Sequence, residues 1–457
     1  MTSSVVNTYI TNTTETLTSN GDDLLVTSAG SIVNTNGDIG VYSEGENQDT
    51  TIDGLVYSVD DGNGVGVEMT GVGSNLFVNG QVQGDTGVLV DNTSSVNITV
   101  GAQGSVEGVN GTAVIFEGNI NSPAATGYTL GNAGQISAGF GFVAHGVVFQ
   151  YGGYDLLINS GTISGEFAVS FYDNVGPETV ENSGTIEGGS GGDSAAIQST
   201  TSSAGIDVVN SGLITDGAAN TIGGVYALIY FDDAAGTAST IDNEGTITGT
   251  GYVIQSISDS LDISNSGTIH GGIYATGAVD LVNSGVRQES TGHSSGVFSL
   301  SGAGDTITNT GTITGNINLT GSDDTLTNGG HTHGTVTMGA HNTLTNTGTI
   351  HGNVVLGASD VFDSSKGEIT GTVEARNTDI FDFSGSFGHN TILDFVATGT
   401  HHDTMNFLSD DFGSYAAVQS HMAQVGSDVV ITLDAADTIV LEGQTLANLT
   451  SSDFTFG

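Results

Sequence analysis

The 457-residue sequence has no cysteine, no tryptophan, two prolines (Pro123 and Pro177) and three basic side chains, Arg287, Lys366 and Arg376. Each scarcity excludes something. Without cysteine there is neither a disulfide framework nor a thiolate metal site. Without a basic patch nothing neutralises a phosphate backbone, so nucleic acid is not an expected partner, and an electrostatic membrane anchor is ruled out on the same ground. No stretch approaches the ~18–20 apolar residues of a transmembrane helix, so no membrane insertion is expected. Lys, Arg, Leu and Glu are sparse, which argues against a mostly helical fold. The opening residues, MTSSVVNTYITNTTETLTSN, lack the basic and apolar regions of a Sec leader.

What is present is turn-forming and acidic. There are 72 glycines among many Asn, Thr and Ser, and 50 Asp plus Glu give a net charge of −47. With 36% hydrophobic and only 12% charged residues, the chain can bury a core and does not read as disordered. Short strands joined by tight turns are the expected elements. The unbalanced negative charge favours divalent cations as counterions.

Repetition is the dominant signal. The motif Asn-Ser/Thr-Gly-Thr-Ile-x-Gly begins at Asn159, Asn182, Asn265, Asn309 and Asn346, with variants at Asn132, Asn210, Asn243, Asn283 and Asn328. An acidic or polar residue precedes each motif by three or four places, as in Asp305-Thr-Ile-Thr-Asn309 and Asp324-Thr-Leu-Thr-Asn328. Asn342, Asp360 and Asp379 continue the series at spacings of 19, 18, 18 and 19 from Asp305, and Asp155, Asp207, Asp262 and Asp280 read as earlier copies. Thr-Ile-Thr alternates as a half-buried strand does.

The expected fold is therefore all-β: a parallel β-helix or β-solenoid with coils of about 18–28 residues, stacked at about 4.8 Å. Two short strands and two turns account for a coil of about 18 residues. Glycine after Asn is expected to supply turn conformations that other residues resist. The aligned Asn residues are expected to form a hydrogen-bonded ladder, a structural role and not a catalytic one.

Residues 1–300 read as an irregular solenoid with longer insertions, and residues 301–385 as a regular one. The segments TSAGSIVNTNGDIG, VNGQVQGDTGVLV and VGAQGSVEGVNGTAV read as degenerate turns. Aromatic residues concentrate at Phe140–Tyr154, Phe167–Tyr172 and Tyr226–Phe231. Those insertions are expected to form loops or a broader sheet, serving as subunit contacts or as plugs in an irregular coil.

Residues 386–457 break the pattern and form a small β-rich module with one short helix near Ser414–Val425. Their order is Ile392-Leu-Asp394-Phe395, Asp403-Thr-Met-Asn-Phe407, the helical stretch, Ser427-Asp-Val-Val-Ile-Thr-Leu433, Asp437-Thr-Ile-Val-Leu441 and Leu446-Ala-Asn-Leu-Thr-Ser-Ser-Asp-Phe454. This succession resembles the C-terminal region of bacterial repeats-in-toxin proteins exported by type I secretion. The resemblance covers about 70 residues and implies an uncleaved C-terminal export signal, the type I machinery as a partner, a secreted or cell-surface location and folding in calcium. The family's calcium nonapeptide survives here only in fragments, such as Gly302-Ala-Gly-Asp305 and Gly321-Ser-Asp-Asp324. Asp305, Asp324, Asp360 and Asp379 are the candidate calcium ligands, because carboxylates aligned at coil spacing repel one another and a hard cation relieves that repulsion.

No phosphate loop, zinc-protease helix, dinucleotide fingerprint or nucleophile elbow is present. An enzyme is not expected. A polysaccharide-acting enzyme is the catalytic alternative, disfavoured by the scarcity of Arg and Lys. Histidine is uneven: His331-Thr-His333 places two rings on one strand face, and His341 and His351 fall in neighbouring coils, a pattern open to a transition metal. Open solenoid ends invite stacking of copies, head-to-tail where no cap intervenes. The expected function is thus a calcium-dependent extracellular protein that self-assembles into a surface layer or biofilm-matrix filament. The alternative is an adhesin that binds glycans or cell-surface polysaccharide.

Overall fold

The computed structural model describes residues 3–60, 62–91, 95–118, 127–139, 144–189, 194–202, 204–217, 227–234, 236–257, 260–289, 298–364 and 366–457. The chain is a parallel β-solenoid. It divides into two compact units, Met1–Ser260 and Leu261–Gly457, each built from coils of one design.

A coil has three strands rather than two. In the first unit, Leu156–Asn159, Thr162–Ser164 and Phe167–Tyr172 form one coil. They pair in parallel with Glu178–Asn182, Thr185–Gly188 and Ala195–Thr200 of the next, matching Asn159 to Asn182, Ile163 to Ile186 and Val169 to Ile197. In the second unit, Thr306–Asn309, Thr312–Thr314 and Ile317–Ser322 pair likewise with Thr325–Asn328, His331–His333 and Val336–Ala340. The third strand is hidden in the sequence because it lies outside the repeated motif. Ile317 and Leu319, then Val336 and Met338, nevertheless alternate inward and close the coil. The supposed degenerate turns of the first unit also contain strands, among them Ser31–Asn34, Gln81–Gly84 and Ser105–Gly108.

Alternation sets the core. Ile163, Ile186, Ile214 and Ile247 stack in register and are fully buried, each contributing about 1.5–3 kcal/mol of hydrophobic stabilisation. The aromatic segments supply third strands, a broader sheet rather than surface loops. Phe140 and Tyr226 lie outside the described residues. Phe116, Phe149 and Phe171 point inward and stack with centroids 4.8 and 5.0 Å apart and planes within 7°. Phe231 is buried as well, while Tyr154 remains 61% exposed.

The second unit breaks its own rule once. Between Ile269 and Ile313, the inward position of the second strand is Arg287, 1% exposed. Its guanidinium lies 4.9 Å from the centre of the Phe298 ring. It donates to the Thr314 carbonyl at 3.1 Å and to the Gly271 carbonyl. Burial pulls its pKa down to about 9.

The last residues of the second unit continue its sheets. Ile380–Phe383 pairs with Thr404–Phe407, which pairs with Phe454–Phe456. Asp428–Thr432 runs antiparallel to both Met422–Val425 and Thr438–Leu441. The helix is shorter than the sequence implied, spanning Tyr415–Ser420, with Ser414 accepting from the Ala417 N–H at 3.3 Å as its N-cap. Met422–Val425 is a strand instead, because Gly426 at φ 63° turns the chain into a hairpin. Among the described residues no helix is long and apolar enough to cross a membrane.

Candidate functional site

The repeated polar residues, the asparagines and the candidate aspartates, occupy the two ends of the first strand of the coils. At its C-terminal end lies the asparagine ladder. In the first unit, the amides of Asn132, Asn159 and Asn182 each donate to the side-chain oxygen of the next Asn at 2.8 Å, and Asn210 donates to Asn243 at 2.7 Å. In the second unit, Asn265, Asn283, Asn309, Asn328 and Asn346 repeat the chain at 2.7–2.8 Å. The same amides also reach backbone carbonyls of the following coil, as Asn328 does to Thr349 at 3.3 Å. All are buried, and all are satisfied by this arrangement.

Glycine at the adjoining corner is required by close approach, not by an unusual φ. A Cβ on Gly161 would stand 2.1 Å from the Gly134 carbonyl oxygen, and one on Gly311 would stand 2.1 Å from that of Gly285. The glycines therefore set how closely successive coils stack.

A second ladder occupies the N-terminal end of the strand. Here the side chain of each coil accepts the backbone N–H at the same position of the coil before it. Asp305 Oδ1 accepts from Val279 at 2.8 Å, Asp324 from Asp305 at 3.0 Å, Asn342 from Asp324 at 2.8 Å and Asp360 from Asn342 at 2.7 Å. Asp379 accepts from Asp360, and Asp403 from Asp379, both at 2.9 Å. In the first unit, Asp155 accepts from Tyr128 at 2.7 Å and Glu178 from Asp155 at 3.1 Å. Asp207, Asp262 and Asp280 do not belong to this column. Each is exposed on the outer face of its strand.

The ladder carboxyls are buried, and burial raises their pKa values: Asp305 and Asp403 to about 6, Asp379 to about 7, with Asp324 and Asp360 also raised. Glu178 is pushed up in the same way and shares a hydrogen bond with Asp155. Calcium needs six to eight oxygen ligands. Asp360, Asp379 and Asp403 instead commit their second oxygens to the N–H groups of Gly357, Arg376 and Val396. Among the described residues of this column, the Oδ2 atoms of Asp305 and Asp324 are buried without a hydrogen-bond partner. Asp305, Asp324, Asp360 and Asp379 are thus brought into one column, as their spacing implied, but as acceptors for backbone N–H groups. In Asp360, Asp379 and Asp403 burial raises the carboxyl pKa while the backbone N–H bonds oppose it.

Sequence reasoning missed a buried polar cluster in the first unit. His145 Nδ1 lies 2.8 Å from Ser170 Oγ, which accepts from Gln198 Nε2 at 2.9 Å. Gln198 also donates to the Tyr172 hydroxyl. The imidazole stacks on Phe167 with centroids 5.0 Å apart, and burial lowers its pKa to about 4. It is neutral at pH 7, with its Nδ1 available to the serine hydroxyl. No local motif marks this cluster, because its members come from three successive coils.

Two solvent-facing features remain. In the first unit a shallow groove of about 480 Å³ is lined by Gln81, Gln103 and Gln135 over Gly104, Gly134 and Gly161, and no charged residue borders it. In the second unit His331, His333 and His351 share an exposed face, whereas His341 lies at a turn with φ 64°. Among the described residues no group of three or more His, Cys, Asp or Glu is placed, as the side chains stand, to hold a metal ion. No protein-family model matches the chain, and no curated protein matches its sequence.

Proposed function

We propose that this chain is an extracellular structural protein whose copies associate laterally through the outer face of the first-strand sheet in the Met1–Ser260 unit. The observation that carries the reading is a single outward column on that face. Register places Val5, Leu25, Thr51, Phe77, Thr99, Gly131, Ile158, Glu181 and Val209 in line. Val5, Phe77, Ile158 and Val209 are 57, 39, 42 and 43% exposed. Single exposed apolar residues are ordinary, but four of them in one register column, alternating with Thr, Gly and Glu positions, give a discontinuous apolar face on which a second copy can seat. The polar residues most suited to chemistry are consumed inside the coils as ladders.

Export by the type I route, a surface-layer or matrix location and a requirement for calcium rest on the resemblance of residues 386–457 and on the net charge of −47, not on the aspartate column. Electron microscopy of the purified chain, in calcium and then in excess chelator, tests the proposal. Ordered filaments or sheets that disperse in chelator are the expected result. Single particles in both conditions would sink it. Ile158→Asp, on the exposed strip, should prevent assembly while leaving the fold intact.

A glycan-binding adhesin is the second reading, favoured by the neutral amide groove. In so acidic a chain, a groove of glutamine side chains and bare glycine backbone suits an uncharged polyhydroxyl ligand better than an ionic one. Binding of neutral polysaccharide that is lost in Gln103→Ala together with Gln135→Ala would favour it.

A further inference from the structure

We propose that His331, His333 and His351 form a surface site for one late first-row transition-metal ion, with Zn²⁺ as the reference case. The inference is independent of the assembly reading. His331 and His333 lie two residues apart on one strand and project from its outer face, with Thr332 between them pointing inward. His351 is on the next parallel strand, directly opposite His333. The His333 and His351 centroids are 4.6 Å apart, and His331 is 6.4 Å from each.

These separations match what an ion can span. With a metal–nitrogen bond of about 2.1 Å and a ring nitrogen about 1.1 Å from its centroid, two imidazoles on one ion lie at most about 6.4 Å apart, and about 5.2 Å at the tetrahedral angle. The His333 and His351 pair falls well within reach, and His331, at the linear limit from each, has to swing inward for one ion to meet all three. The rings now lie nearly parallel, 9–29° apart, so their nitrogens do not converge. All three side chains are exposed, and rotation about χ1 and χ2 turns the nitrogens toward a common point without moving the backbone.

The backbone beneath the site is fixed. Thr332 stands where other coils bury Ile313 or Ile350. Its hydroxyl donates to Asn328 Oδ1 at 3.2 Å, and Asn328 donates in turn to the Thr349 carbonyl, on the strand of His351, at 3.3 Å. The asparagine ladder thereby ties together the two strands that carry the imidazoles. Three nitrogen donors favour zinc, nickel or copper over calcium and magnesium, and the outer side stays open to water as a fourth ligand.

The test is calorimetric titration of the metal-free full chain with Zn²⁺, alongside electron paramagnetic resonance of the Cu²⁺-loaded protein. One equivalent should bind more tightly than the remaining histidines do, unaffected by excess calcium, with nitrogen hyperfine structure from more than one imidazole. His333→Gln and His351→Gln should each weaken that equivalent by on the order of tenfold or more. His389→Gln and His421→Gln, outside the trio, should leave it unchanged. Equal weakening by all four substitutions, wild-type binding in His333→Gln, or a copper spectrum with a single nitrogen would each overturn the assignment.

Discussion

The Asn309 amide donates to the Asn328 side-chain oxygen at 2.8 Å, while its own oxygen accepts from Asn283 at 2.8 Å. Each rung therefore serves two neighbours. Asn309→Ala strands a donor on one side and an acceptor on the other, at roughly 1–3 kcal/mol for each buried group left unmet. Asn309→Asp keeps the acceptor but loses the donor, and faces a carboxylate toward the Asn328 oxygen. Both should lower the urea midpoint of the full chain, followed by far-UV circular dichroism. An unchanged midpoint in both would mean that the ladder contributes nothing net.

Two glycines separate crowding from backbone strain. Gly443 has φ 73° with open space around a built Cβ, whereas Gly311 faces the Gly285 carbonyl oxygen at 2.1 Å. Gly443→Ala should cost about 1 kcal/mol, the usual penalty for a side chain in that region. Gly311→Ala should cost several times more, since the coils must separate locally. Thermal midpoints of the two variants give the ranking, and the reverse order would refute the steric account.

Acidity should stabilise this protein. Burial holds the Asp305 and Asp403 pKa values at about 6 and that of Asp379 at about 7, against about 3.9 in an unfolded chain. The folded state thus binds protons that the unfolded state releases. That stabilisation is fully present below about pH 3.9 and is lost as pH rises through about 6–7. Asp305→Asn is the informative variant, because Asp305 accepts a backbone N–H through Oδ1 alone and Asn342 already fills the equivalent position, accepting from Asp324 at 2.8 Å. Its thermal midpoint should exceed wild type at pH 8 and approach it near pH 5. No difference at pH 8 would show that the carboxylate is not penalised there.

In the first unit, Phe149→Ala should cost about 3–5 kcal/mol, since it opens the stack between Phe116 and Phe171. Tyr154→Ala, at an exposed site, should stay within about 0.5 kcal/mol of wild type. Chemical denaturation of both variants checks the contrast.

The solenoid and its asparagine ladder were legible because they repeat. The acidic ladder was only half legible, and the reason is one residue of offset. Asp155, Glu178, Asp305 and Asp324 lie four residues before their ladder Asn. An even offset on a strand places both on the inner face. Asp207, Asp262 and Asp280 lie three before theirs, and the odd offset turns them outward. Glu178 shares the offset of four and takes its place in the column beside Asp155. The third strand escaped because its sequence varies from coil to coil, constrained only to alternate. His145, Ser170 and Gln198 meet only after three coils are stacked, and no pattern local in sequence records that.

The glycine corner also determines where such a chain can grow. Between the first and second strands the connection is two residues in most coils, from Asn159 to Thr162 as from Asn309 to Thr312, and four in others, from Val26 to Ser31 and from Val100 to Ser105. Between the second and third strands it ranges from none, where Thr246–Ser256 runs on as one strand, to twelve residues, Asp216 to Ile229. One corner is a tight joint and the other an open socket. Foreign loops or whole domains grafted at the second corner should leave the stacking intact, while at the first a side chain in place of Gly161 or Gly311 would hold neighbouring coils apart.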